Sequence, residues 1–575
     1  MGLNYLRLYK KELFVMLLFV VTLQYFYQTP TEPIRADGIG YYDYLPATFH
    51  YHDIYRKHQI NTPDQPLYKR INEIGSGVYV KQSKYLVNKY SVGTALLLAP
   101  FFIVTYPLYV LFHTEVTCYE QPFQLMVCLA AMVYAFLALL YLRKLLSYYT
   151  SNNWVLFFAQ LFLLFATPLT WYAHHESSMS HVYSLFAVTA FLYHLKAYFT
   201  APTARHLLYS AFFIGLVILL RQVNVLVLLL VPFIAGSLAQ FLNGLKWLVT
   251  NLKWLLLALL LTSSLITIQL YFWYIQTGSW IIYSYTNESF YFNNPQFFNI
   301  LFSYRKGLFV YTPVLLLLFV GLYQWGKSKQ YYLLFTWLGA MCVITYVLSS
   351  WWSWFYGCSY GLRAYIDFFS ILFIPIAIAL SEYTYRFALF VFGLMCIPVN
   401  LIQTYQYQHY ILHWIDMNKD MYRQVFLKTE PQYMGAVWKP TIDYKQYDTL
   451  QTILLGNIKV DGSNQHIAKI KVDSLPNLAQ TDLLQVSLFN QFNEENSGQV
   501  VIAYIDSSSQ TVSYYANRSL LHFYEKEFNN LQRGWYNFEV PHAESMGQYL
   551  ILNYAQSSLP ESLYDVRLIL FNKRK

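Results

Sequence analysis

Apolar residues in this chain come in blocks about as long as a bilayer requires, and polar residues crowd into the gaps between them. A spanning helix needs about 20 mostly apolar residues. Twelve stretches approach that length, near 12–28, 94–113, 122–142, 154–172, 179–198, 207–220, 223–241, 250–275, 307–325, 331–350, 365–381 and 386–405. One gap, 29–92, is far longer than the others. From about residue 406 the block pattern stops.

Cations sort the gaps by side. Arg143-Lys144, Lys196 with Arg205, Lys246, Lys327 with Lys329, and Arg386 fall in alternate short gaps, which the positive-inside rule puts in the cytoplasm. Lys10-Lys11 stand before the first apolar block with no small-residue cleavage site after it. That block is therefore expected to be an uncleaved span with its N-terminus inside. Counting forward from the N-terminus puts 29–92 outside, and counting back from the cationic gaps puts 114–121 outside. Both hold only if 94–113 does not cross. Gly93, Pro100 and Pro107 weaken a straight helix there. The expectation is a helical membrane bundle of about eleven spans, N-terminus in and C-terminus out. The 94–113 stretch then lies re-entrant or interfacial within a first outer loop running 29–121. Twelve spans with the tail inside is the alternative, and it puts half of the cationic gaps on the wrong side.

The tail divides at about residue 446. Residues 406–445 keep aromatics and read as a linker with interfacial helices. Residues 446–575 show short apolar runs such as Thr452-Ile-Leu-Leu, Gln499-Val-Val-Ile-Ala-Tyr-Ile, Tyr549-Leu-Ile-Leu and Val566-Arg-Leu-Ile-Leu-Phe, with turns at Asp461-Gly462-Ser and Asp506-Ser-Ser-Ser. Such spacing predicts an all-β, sandwich-like domain. With residues 1–405 as the membrane domain, this tail is expected on the outer, periplasmic side of a bacterial inner membrane.

Composition agrees with a lipid environment. Of 575 residues 56% are apolar and 12% charged, against about 25% charged in soluble domains. The 56 tyrosines suit the headgroup layer. The net charge of +9 is spent on orientation, so nucleic acid is not an expected partner. Cys118, Cys128, Cys342, Cys358 and Cys396 are scattered, with no CxxC spacing, and define neither a disulfide frame nor a zinc motif.

Four constellations can carry chemistry. Arg35-Ala-Asp37-Gly-Ile-Gly-Tyr-Tyr-Asp43 opens the long outer loop with two carboxylates. A carboxylate at a water-filled mouth can take a proton from an attacking hydroxyl or amine, and a pair can divide the roles of base and orienter. Asp-Gly is also an ordinary turn signal, and Asp43 suits a solvated helix face. Trp171-Tyr-Ala-His174-His175-Glu176-Ser-Ser-Met-Ser-His181 gathers imidazoles and a carboxylate at an outer turn. Its spacing matches no standard metal motif, and an outer hydrogen-bonding cluster accounts for it better than a metal does. Arg221, Arg305-Lys306 and Arg363 stand in or beside apolar blocks, where charge is expensive and usually has a purpose. Arginine grips phosphate with two parallel donors and lysine as a point charge, whereas snorkelling to headgroups is the alternative. Trp351-Trp-Ser-Trp354-Phe-Tyr-Gly can stack on sugar rings or serve as an interfacial belt.

This layout resembles the GT-C superfamily of membrane glycosyltransferases, which includes the protein O-mannosyltransferases and the lipid A aminoarabinose transferase. Asp37-Gly-Ile-Gly-Tyr-Tyr-Asp43 matches the acidic opening of that family's first outer loop. Tyr360-Gly361-Leu-Arg363 resembles a Gly-x-Arg stretch that opens a late span in bacterial relatives. Ser180-His181 stands where relatives place a second acidic residue, so His181 is a departure. The resemblance covers about residues 1–405 and implies a polyprenyl-phosphate-linked sugar as donor. It further implies inversion at the anomeric carbon, Asp37 as base, Asp43 as orienter, and Arg221 and Arg363 on the phosphate; Arg305 and Lys306, from their charge, are further candidate phosphate contacts. His174, His175, Glu176, His181 and Trp354 are then candidate contacts to sugar or acceptor, the acceptor being a glycan, lipid or protein. No cofactor is assigned, and a divalent metal is left open. The rival readings are a lipid-linked glycan transporter or flippase, a glycan polymerase or ligase, and a scaffold without enzymatic activity.

Overall fold

The computed structural model describes residues 10–26, 32–54, 78–82, 85–285, 288–430, 433–434, 436–438, 447–460, 465–491, 499–505, 512–519, 524–526, 531–539, 549–555 and 561–574. The expected turns at Asp461 and Asp506 lie outside the described residues. The chain divides into two compact units. One is residues 1–407 with 414–419, and the other is 408–413 with 420–575.

The first unit is helical. Among the described residues six helices are long and apolar enough to cross a membrane: Gly93–Val110, Gln121–Leu146, Leu252–Thr277, Tyr331–Ser349, Arg363–Glu382 and Arg386–Gln408. A seventh is added if Gln222–Ala235 and Leu238–Thr250, bent by 115° at Gly236, form one span. Of the remaining apolar blocks expected as spans, one is the unbroken 20-residue helix His181–Thr200, and the others are shorter helices or are broken. Lys10–Phe26 and Ala204–Leu220 have 17 residues each and Asn153–Phe165 has 13. At 1.5 Å per residue these reach roughly 20–26 Å, short of a core about 30 Å thick. The stretch expected as re-entrant is one continuous helix, Gly93–Val110, despite Pro100 and Pro107. Ile103, Val104 and Leu108 on it are exposed, as a lipid-facing helix requires, and the Tyr134 hydroxyl donates to its Leu97 carbonyl (2.8 Å).

Two helices form the centre. His181–Thr200 is buried along almost its whole length, packed by Gln121–Leu146 and Ala204–Leu220. Arg363–Glu382 is likewise buried along nearly its whole length, whereas Leu252–Thr277 is mostly uncovered, its leucines left bare for lipid. Polar groups pin the helices where apolar contact with lipid offers no preference. Arg143 reaches the fully buried Glu12 (2.6 Å), and Gln160 donates to the Leu139 carbonyl (2.8 Å).

The break between Asn153–Phe165 and Leu169–His174 is set by Pro168, which cannot continue the first helix. The carbonyls freed there are Phe165 and Thr167. Both accept from the Asn400 side-chain amide at 2.9 Å, and the Asn400 oxygen accepts from the Tyr360 hydroxyl at 2.9 Å. One fully buried asparagine thus ties this break to the segment before Arg363.

The second unit is two antiparallel sheets facing each other across one core. After a small hairpin of the first unit, β1 (Tyr79–Gln82) and β2 (Tyr85–Asn88), the strands are β3 (Tyr447–Val460), β4 (Gln465–Lys471), β5 (Leu483–Gln491), β6 (Gln499–Ile505), β7 (Val512–Ser519), β8 (Tyr524–Lys526), β9 (Leu531–Glu539), β10 (Tyr549–Ala555) and β11 (Glu561–Lys573). The sheets run β4-β10-β6-β7 and β3-β11-β5-β9-β8. Leu484, Val486 and Leu488 of β5 alternate inward and meet Val500, Ile502, Leu550 and Leu552 of the other sheet. The period-2 pattern that predicted strands is the pattern that fills this core.

Asn400→Leu removes both amide protons and leaves two buried carbonyls unpaired, at about 1–3 kcal/mol each. Thermal unfolding of the detergent-solubilised variant is expected well below wild type. An unchanged midpoint would show that the Pro168 break does not depend on Asn400.

Candidate functional site

The stretch 33–44 is fastened from several directions. The Ser178 hydroxyl donates to the Pro33 carbonyl (2.6 Å), and the Ile34 amide donates to Gln124 (2.9 Å). Asn88 donates to the Gly40 carbonyl (2.7 Å), Tyr42 to the Cys118 carbonyl (2.6 Å) and Tyr44 to the Tyr90 carbonyl (2.8 Å). Two local features depend on this grip. Ala36 sits at φ 48°, a strained conformation costing of order 1–3 kcal/mol for a residue with a Cβ. Gly38 lies so close to Ser178 that a Cβ there would come within 1.8 Å of its hydroxyl. Glycine is the residue that permits this approach.

Asp37, so held, opens on a cavity of about 520 Å³. Its charged wall is Asp37, Arg221, Arg363, Lys89 and Glu288, with His181 beside them. Tyr41, Tyr90, Tyr285, Phe290, Trp351 and Trp352 supply aromatic faces, and Leu220, Val223, Val225 and Leu226 an apolar flank. Val225 is 40% exposed, and Leu228 and Leu229, on the same 3-10 helix Gln222–Leu230 but outside the cavity lining, are exposed as well.

The charges pair across the walls. Arg363 reaches Asp37 at 2.8 Å. The Tyr90 hydroxyl donates to the other Asp37 oxygen at 2.6 Å. Burial alone would raise the Asp37 carboxyl. Arg363, the Tyr90 hydrogen bond and Lys89 together outweigh burial and hold it below its ordinary value. Asp37 is therefore a carboxylate at neutral pH, and its side chain keeps about 30% of its surface open to the cavity. Arg221 pairs with Asp367 at 3.0 Å, and Lys89 pairs with Glu288.

The other residues singled out from sequence lie elsewhere. Asp43 is buried away from the cavity lining, accepting from the hydroxyls of Tyr79 and Tyr119. Arg305 pairs with Asp416 (2.5 Å) and lies over the Phe355 ring (3.4 Å). Lys306 donates to the carbonyls of Ser359 and Trp414, and burial pushes its ammonium down to about 7. It clamps two segments together and does not line the cavity. Glu176 faces Arg35 at 3.8 Å, and burial raises its carboxyl despite Arg35 and Arg363. The Nδ1 atoms of His174 and His175 are 3.2 Å apart, and burial lowers His174 to about 4. Trp171 stacks on His175. Trp354 packs on Phe355, while its neighbours Trp351 and Trp352 are the cavity residues. Among the described residues no group of three His, Cys, Asp or Glu is placed to hold a metal.

Sequence reading missed Asp367, Tyr90, Lys89 and Glu288. Asp367 had a signal, since it is an acid inside an apolar run and the cost argument applied to Arg221 applies equally to it. His181 donates to Asp367 (2.9 Å), so an acid from another segment stands behind the position where an acid was expected.

No family model and no curated protein matches this sequence. Among solved structures the chain is similar to the arabinosyltransferase EmbB of Mycobacterium smegmatis, at 9% identity and a TM-score of 0.38. The alignment covers 98% of this chain and 64% of that one, so this chain spans less than two thirds of its length. A likeness this loose carries no argument about activity.

Tyr90→Phe removes one of the contacts that lower the Asp37 carboxyl. In any reaction using Asp37 as a base, the acid limb of kcat/KM is expected below the usual carboxylate range in the wild type. In the variant it moves to higher pH. A limb that stays in place would show that Tyr90 does not tune Asp37.

Proposed function

We propose that this chain is a membrane glycosyltransferase of the GT-C kind. It moves a sugar from a polyprenyl-phosphate donor to an extracytoplasmic acceptor, with inversion and with Asp37 as base. The observation that carries this reading is one cavity on which an ionised, accessible carboxylate and two guanidiniums open together, flanked by apolar wall.

The chemistry follows from those groups. The acceptor oxygen or nitrogen attacks the anomeric carbon, the bond to the phosphate oxygen breaks, and the phosphate leaves with the electron pair. Arg221 and Arg363 oppose the charge that grows on the phosphate, which is where electrostatic stabilisation contributes most. Asp37 takes the acceptor's proton, a role worth typically 10²–10⁴-fold. In the resting state Arg363 lowers the basicity of Asp37. A phosphate arriving at Arg363 competes for the same donors, and the carboxylate becomes a stronger base as it loses them. The donor is activated and the base released by one binding event.

A polyprenyl tail costs about 0.8 kcal/mol per CH₂ to withdraw from lipid. The apolar flank that runs from Val225 toward exposed helix surface supports a sugar phosphate held in the cavity while its tail stays in the bilayer.

Membranes carrying the protein are incubated with labelled polyprenyl-phosphate sugar. Asp37→Asn is expected to reduce donor turnover by about 100-fold or more. Equal turnover in both would remove Asp37 as base. Movement of intact donor across sealed vesicles, with no bond broken, would replace the transferase with a transporter.

A further inference from the structure

Two carboxylates pair with the two cavity arginines, and they differ in access. Asp37 is about 30% open, whereas Asp367 is fully buried, and the two sit on opposite sides of a reciprocal arrangement. The turn Arg363–Phe368 carries both a cation and an acid. Its cation, Arg363, reaches across to Asp37. Its acid, Asp367, receives the cation Arg221 from a different wall.

Arg221 stands where the chain leaves helix Ala204–Leu220. It is extended (φ −152°, ψ 118°) before the 3-10 helix Gln222–Leu230. Its backbone is therefore free of the helical direction, and something else must aim the side chain. Asp367 does this with both oxygens. Oδ2 accepts from Arg221 Nη1 at 3.0 Å and from Asn224 Nδ2 at 2.8 Å, one turn further along the same break. Oδ1 accepts from His181 Nδ1 at 2.9 Å. The same Nδ1 lies 3.1 Å from Arg221 Nη1, so His181 stands between the carboxylate and the guanidinium.

We propose that Asp367 is a positioning residue. It holds Arg221, through the helix break 221–224, at a set spacing from Arg363, so that the two guanidiniums receive a single lipid-linked phosphate together. This rests on the reading of the cavity as a polyprenyl-phosphate site. Asp367 touches no substrate, and its effect reaches the donor only through Arg221. Only one Arg221 nitrogen is engaged by the carboxylate, so the fork retains donors for a phosphate oxygen.

The test uses the full chain in phosphatidylcholine nanodiscs and sugar-free polyprenyl phosphate as the probe. Asp367→Asn is expected to weaken probe binding by about tenfold or more, in line with the loss of an aimed charge-assisted contact. In turnover the donor KM rises and kcat falls with it, because Arg221 meets both the bound phosphate and the charge that grows on it. The double variant Arg221→Gln/Asp367→Asn binds no more weakly than Arg221→Gln alone, because Asp367 acts through Arg221. Asn224→Ser keeps the carboxylate and removes one donor, so it remains informative if Asp367→Asn does not fold. It is expected to weaken probe binding by a few-fold. Wild-type affinity in Asp367→Asn, or in Asn224→Ser where Asp367→Asn does not fold, overturns the positioning role and leaves the proposed transferase standing. Additive losses in the double variant do the same. Failure of the wild type itself to bind the probe overturns both.

Discussion

The ion pair between Asp37 and Arg363 is the interaction on which the rest of the site depends. An isolated carboxylate or guanidinium among apolar helices costs several kcal/mol. Each of these makes the other tolerable, and each then becomes available to a visitor that pairs better. The scaffold meets the geometric demand from both sides. Asp37 sits on a stretch fastened by Ser178, Gln124, Asn88 and two tyrosine hydroxyls. Arg363 follows Gly361, whose φ of +59° turns the chain against Pro168. That proline belongs to the break that Asn400 holds together.

The same logic separates the acids by what they do. Asp43, five positions beyond Gly38, turns to tyrosine hydroxyls and secures the loop, so its place in the sequence motif reflects architecture around Asp37. Asp367 is sealed and binds three donors. Of the two acids paired with the cavity arginines, Asp37 keeps an opening to the cavity and Asp367 does not. In the proposed reaction it is this access, not the presence of a carboxylate, that separates Asp37 from Asp367 and Asp43.

Much of this was legible from the residue pattern, and the gaps have physical causes. Apolar blocks and cationic gaps identified a helical membrane unit, and alternation identified the β unit, because both patterns are local. Arg221 and Arg363 stood out because charge in an apolar run needs a reason. The same signal at Asp367 went unread, since a lone acid in Tyr-Ile-Asp-Phe shows nothing of the three donors that come from distant segments. Tyr90, Lys89 and Glu288 were invisible for a similar reason, as ordinary loop residues brought to the cavity by tertiary packing alone. Span counting was the weakest step. Block length cannot distinguish a crossing helix from one that Pro168, Arg221 or Gly236 interrupts, and the Gly93–Val110 helix runs on through two prolines.

The most direct test is structural: cryo-electron microscopy of the protein with a non-cleavable polyprenyl phosphonate sugar bound. The account predicts phosphonate oxygens within hydrogen-bond distance of Arg221 and Arg363, Asp37 turned toward the face of the anomeric carbon opposite the phosphonate, and the tail leaving along the Val225 flank. A phosphonate seated away from both arginines, or Asp37 still locked to Arg363 with the sugar out of its reach, would contradict it.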